Sequence, residues 1–118
     1  MVGNGNSKTG HIILALQWLL DPDGDPSTDD DVPDVCNNSW SGGSILTPPC
    51  DTFFWSFLDA CEEAGIVMVF SAGNEGAGGI MRPSDRDRTL AVAAIDAGTP
   101  GYPLGSFSSI GPSFCTPS

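Results

Sequence analysis

The sequence predicts an α/β fold with a mostly parallel sheet flanked by helices, and three observations carry that expectation. Ile66-Val67-Met68-Val69-Phe70 is an unbroken apolar run rich in β-branched residues, the pattern of a strand buried on both faces. A second apolar run covers residues 90–95. Two stretches of helical apolar spacing come before them, and helices interleaved with continuous apolar strands imply a parallel sheet. At 118 residues the chain is one domain by length, able to bury roughly two thirds of its unfolded surface.

The first helix is expected over residues 9–20, capped by Ser7 or Thr9. Ile12, Leu16 and Leu19 recur at i, i+4 and i+7, and Ile13, Trp18 and Leu20 widen the apolar stripe. Asp21-Pro22 stops it and opens an acidic insert over residues 21–34. Asp21, Asp23 and Asp25 alternate there, so converging carboxylates make the loop a calcium candidate. Pro26 and Val32 occupy the positions where an EF-hand needs glycine and glutamate, and a plain solvated loop is the competing reading. Val35 and Cys36 read as a short strand running into Asn37-Asn38-Ser39. That triplet is formally a glycosylation sequon, but at a strand mouth it is expected to bond the backbone. A loop of glycine, serine and proline covers residues 41–49. Asp51 or Thr52 then caps a second helix to residue 64, with Phe54, Leu58 and Cys61 on one face and Gly65 as its stop.

Composition excludes several partners. Fifteen acidic residues against four basic ones give a formal charge of −11, which argues against nucleic acid and anionic membranes. No apolar run approaches the ~20 residues of a membrane span, and Met1-Val2-Gly3-Asn4 does not open like a signal peptide. Gly3-Asn4-Gly5-Asn6-Ser7-Lys8-Thr9 lacks both the glycine before the lysine and the preceding strand of a phosphate loop. The glycine-rich stretch after residue 70 leads into Pro83 and charged residues, not into the helix a dinucleotide loop requires. His11 is the single histidine and reads as a helix surface residue. Without a C-x-x-C pair, zinc has no ligand set. Cys36, Cys50, Cys61 and Cys115 allow three disulfide pairings, and buried free thiols fit equally well. Cys36 and Cys61 are expected neighbours where the second helix covers the sheet. A bond between Cys50 and Cys61 is disfavoured, because the helix from Thr52 to Cys61 is about 13 Å long.

Two pairs of segments add a family resemblance. Asp34-Val35-Cys36-Asn37-Asn38-Ser39-Trp40, followed after a helix by Val67-Met68-Val69-Phe70-Ser71-Ala72-Gly73-Asn74-Glu75-Gly76, resembles the middle of the subtilisin-like serine proteases (subtilases). Leu90-Ala91-Val92-Ala93-Ala94-Ile95-Asp96 and Ser106-Phe107-Ser108-Ser109-Ile110-Gly111-Pro112 look like the next stretch of that family, in the same order. The first helix with Gln17-Trp18 and the acidic insert look most like the bacillopeptidase F type. The resemblance covers nearly the whole chain and implies a three-layer subtilisin-like fold, a polypeptide substrate, a secreted protein and no required cofactor.

The resemblance also implies roles residue by residue. Asn74 matches the asparagine whose side-chain amide completes the oxyanion hole. Ser39, Trp40, Ser41 and Gly42 match the strand that lines the substrate cleft and pairs with the backbone of the bound peptide. Ser71, Ala72 and Gly73 match the opposite wall of the pocket for the residue before the scissile bond, with Glu75 at its rim. The family's Asp-His-Ser triad belongs to upstream His-Gly-Thr-His-type and downstream Gly-Thr-Ser-Met-type segments, and neither motif occurs in these 118 residues. The chain is therefore expected to be the central segment of a catalytic domain, completed by flanking segments and inactive alone.

Overall fold

The computed structural model describes residues 9–42, 50–113 and 115. Five elements organise them: α1 (Thr9–Trp18), β1 (Val35–Asn38), α2 (Trp55–Glu63), β2 (Val67–Ser71) and β3 (Leu90–Val92), with a single 3-10 turn over Gly76–Gly78. The strands form one parallel sheet in the order β1-β2-β3. Val35 lies opposite Val67 and Asn38 opposite Phe70, while Val69 lies opposite Leu90 and Ser71 opposite Val92. Parallel neighbours need a crossover, and α2 supplies the one from β1 to β2. The α/β class is as the apolar runs imply.

Local chemistry explains where the helices stop. α2 ends because Gly65 takes φ +90°, donating its N–H to Glu62 O at 3.0 Å while Ile66 N–H donates to Cys61 O at 3.0 Å. This pair of bonds is the Schellman closure, and it needs a residue free to adopt positive φ. The start differs from expectation. Neither Asp51 nor Thr52 caps the helix; Phe54 does, without a side-chain bond. Asp51 Oδ1 accepts from Phe53 N–H at 2.9 Å and pairs with Arg82 at 2.8 Å, so its carboxylate is committed one turn early. α1 also stops two residues short of residue 20, tightening into i−3 bonds from Leu20 N–H to Gln17 O and from Asp21 N–H to Trp18 O. Pro22 disfavours helical backbone at Asp21, which accounts for the early end.

The core forms where the helices meet one face of the sheet. Leu16 of α1, Leu58 and Cys61 of α2, and Ile66, Met68 and Phe70 make the buried cluster, with Ile12, Leu19, Cys36, Trp40 and Phe54 packed against it. The predicted face of Phe54, Leu58 and Cys61 is thus the one that α2 buries. Trp18, expected on the inner stripe of α1, is instead 60% exposed.

The strands depart from the expectation of burial on both faces. Val35, Val67, Leu90 and Val92 are each about half exposed. Alternation puts them on the side of the sheet away from α1 and α2. β3 is shorter than residues 90–95 suggest. Beyond Val92 the backbone turns towards a later segment: Ala94 N–H donates to Ser108 Oγ, Gly105 N–H to Ala94 O, and Ile95 bridges Leu104 in antiparallel sense.

A disulfide joins Cys50 to Cys115, whose Cα atoms are 4.6 Å apart across 65 residues of sequence. Cys36 and Cys61 remain thiols and share the core, as their placement on β1 and α2 predicts. Burial pushes both thiols up from the usual cysteine range, so neither is poised as a nucleophile. The acidic insert is held by its own carboxylates. Asp31 accepts from Asp23 N–H, Asp23 from Asp25 N–H, and Asp25 from both the N–H and hydroxyl of Ser27. These turn bonds direct the carboxylates along the loop. Among the described residues no group of three or more histidine, cysteine, aspartate or glutamate side chains is placed to hold a metal ion.

Candidate active site

The carboxyl ends of β1 and β2 lie side by side, and the two segments that the family resemblance reads as cleft walls leave the sheet there. This is the edge at which open parallel sheets bind ligands. The first wall is residues 39–42. It is not a strand: β1 ends at Asn38, and the ladder with β2 stops at the pair Asn38–Phe70. Side chains hold it instead. Asn38 is buried, donating from Nδ2 to Cys36 O at 3.1 Å and to Val69 O at 3.3 Å, while its Oδ1 accepts from the Trp40 indole N–H at 3.0 Å. The Trp40 ring meets Phe54 and Phe70 edge-on, each centroid 5.3 Å away. Asn38 thus acts through the backbone, as expected of the sequon's surroundings. Asn37 itself is exposed and donates to the Ser39 hydroxyl at 3.4 Å.

The second wall is residues 71–75. Ala72 N–H donates to Val92 O at 2.9 Å, carrying the β2–β3 ladder one residue past the strand. Gly73 then takes φ +109°, a conformation that side chains rarely adopt, and brings the backbone onto Met81. Asn74 and Glu75 follow at the surface. The Asn74 side chain makes no hydrogen bond to another described residue, which leaves its amide available to a ligand.

Residues 81 and 82 join the walls. Met81 N–H donates to Ala72 O at 3.0 Å, and Arg82 O accepts from Gly42 N–H at 3.0 Å. One short segment therefore bonds to both walls. The ion cluster behind it was not legible in the sequence, where Arg82, Arg86 and Arg88 read only as a charged stretch. Arg86 is 3% exposed, bonds Glu62 at 2.5 Å, pairs with Asp59, and lies 5.9 Å from the Trp55 ring centroid. The bond to Glu62 raises its pKa further, so the guanidinium stays charged and clamps the segment to α2.

Asp85, in the same segment, is buried with Oδ1 unpartnered among the described residues. Burial pushes its carboxyl up, more than the Arg82 charge pulls it down. A carboxyl raised in the folded state favours folding when protonated, so its contribution is lost as pH rises from the ordinary carboxylate range through the raised value. Asp85→Asn should therefore raise the thermal midpoint at pH 7 by a few degrees and leave it nearly unchanged at pH 4. A lower midpoint at pH 7 would show that the ionised form is the stabilising one.

A separate cavity of ≈ 320 Å³ lies at the amino ends of the strands, among Ile66, Val67, Leu90, Glu62 and Arg88. It holds no nucleophile and no histidine. His11 is exposed on α1.

A parallel α/β unit of this topology defines a broad class, and comparison with known proteins narrows it. The profile of the subtilase family matches residues 1–118, and the chain belongs to that family. Bacillopeptidase F of Bacillus subtilis (strain 168) is 36% identical over 111 residues, covering 86% of this chain and 7% of the relative. Among solved structures, sphericase superposes with a TM-score of 0.69 at 21% identity, over 89% of this chain and 32% of that one. The prenylagaramide maturation protease PagA gives 0.68 at 20% identity, over 94% of this chain and 35% of that one. These two structures bear on the fold. The chain spans a small part of the curated relative and about a third of each solved structure.

Proposed function

We propose that the chain is part of a subtilisin-like serine endopeptidase, in which it supplies one oxyanion donor and both walls of the peptide cleft. The observation that carries this reading is Asn74, an exposed amide with no partner among the described residues, on a pinned turn at the carboxyl end of β2 in a chain of the subtilase family. An amide is a neutral donor, so it can stabilise negative charge on a carbonyl oxygen without titrating. Residues 39–42, with Gly42 N–H already committed to Arg82, present their remaining backbone groups to an extended peptide. Ser71, Ala72 and Gly73 form the facing wall, and Glu75 stands at the rim. Triad residues come from other segments of the same domain, and the protein acts on polypeptides outside the cell.

The whole protein containing this segment should hydrolyse a peptide ester, and a serine-directed fluorophosphonate should block it. The 118-residue chain alone should show at most the residual acceleration of a binding surface, ~10³–10⁴ over water. Binding of peptides by the whole protein without turnover would replace the peptidase reading with a peptide-binding module.

A further inference from the structure

We propose that Ser109 is a positioning residue that aims Asn74, an inference that rests on reading Asn74 as the oxyanion donor. Ser109 is 2% exposed and holds the backbone on both sides of Asn74. Its N–H donates to Gly73 O at 3.0 Å, and its Oγ accepts from Glu75 N–H at 3.0 Å. Each of those bonds fixes one of the two peptide groups that meet at the Asn74 Cα. Peptide groups are planar, so pinning both sets the two backbone torsions of the residue between them. The Asn74 side chain has no bond of its own among the described residues, so its direction follows from that backbone.

Ser109 is itself held on a rigid support. The adjacent Ser108 is buried and its Oγ accepts from Ala94 N–H at 3.0 Å, tying the segment to the extension of β3. Gly76 N–H donates to Phe107 O at 3.0 Å, and Ile110 N–H to Gly76 O at 2.9 Å, closing the ladder beside the turn. Close approach is needed for this: a Cβ on Gly73 would lie 2.9 Å from Ser109 Oγ. A preorganised donor works only when held within about half an ångström of its productive position, so the hydroxyl's effect should appear in turnover.

The test uses the whole protein, with turnover expressed per site titrated by a fluorophosphonate so that misfolded molecules do not count. Ser109→Ala removes one acceptor while keeping the backbone bond to Gly73, and Glu75 N–H at the surface can bond water instead. It should lower kcat about ten-fold, with KM within about two-fold of wild type. In an Asn74→Ala background the same substitution should change kcat by less than about two-fold, because there is no amide left to aim. Equal losses in both backgrounds, or wild-type kcat in Ser109→Ala, would overturn the positioning role while leaving Asn74 in place. Wild-type kcat in Asn74→Ala would remove the donor reading, and the positioning role with it.

Discussion

Replacing Asn74 by alanine in the whole protein should lower kcat by ~10²–10³ and leave KM nearly unchanged, the magnitude being the one known for the oxyanion donor of subtilisin, a member of the same family. The split between the constants follows from chemistry. Charge accumulates on the carbonyl oxygen only as the tetrahedral state forms, so a donor aimed there contributes little when substrate merely binds. The competing role for an asparagine in a turn is tolerance of left-handed backbone. The non-glycine residues with positive φ among those described are Cys50 and Tyr102, so Asn74 does not occupy that region. Asn74→Gly should then be as slow as Asn74→Ala, with no gain in stability from a freer backbone. Steady-state constants for both variants check this. A slow alanine variant beside a near-normal glycine variant would return Asn74 to a conformational role.

Local chemistry made much of the fold legible. Apolar spacing located α2 and its inner face of Phe54, Leu58 and Cys61, and Gly65 marked its end because only a residue free in φ closes a Schellman turn. The run from Ile66 to Phe70 identified the central strand of the sheet. What local pattern could not supply was long-range pairing. Cys50 and Cys115 lie 65 residues apart; helix geometry disfavoured Cys50 with Cys61, but nothing local pointed to Cys115 as the partner of Cys50. Arg86 shows nothing in its neighbours that marks it for burial; its partners Asp59 and Glu62 sit on a helix more than twenty residues earlier. The candidate site divides in the same way. Asn74 and the two walls are visible through family motifs, whereas Ser109, Asn38 and Met81 earn their places through contacts that only folding creates. A signal existed for one of them: the run Ser108-Ser109 between apolar residues puts a hydroxyl where a buried side chain would be expected, and buried hydroxyls need partners.

Gly73→Ala should be the most damaging small substitution in the turn, costing about 2–6 kcal/mol of stability and lowering kcat at least ten-fold. Two separate effects add. At φ +109° an alanine leaves the allowed backbone regions, which costs about 1–3 kcal/mol when the surroundings hold the strain in place. The new methyl also has nowhere to go: it would lie 2.6 Å from Met81 Cγ, 2.9 Å from Ser109 Oγ and 3.0 Å from Met81 Cβ. Overfilling a packed site costs a further ~1–3 kcal/mol. Met81 can swing its outer atoms away, but its Cβ is fixed by the bond from its own N–H to Ala72 O. Relief must therefore come from the turn, which carries Asn74 out of position, and that is why turnover falls with stability. A second substitution separates the causes. Met81→Gly in the Gly73→Ala background removes both Met81 contacts but leaves the torsion and the approach to Ser109 unchanged. Recovery of roughly half the lost stability would assign the rest to the backbone and the hydroxyl. A Gly73→Ala protein with wild-type stability and kcat would mean that the turn does not need its glycine.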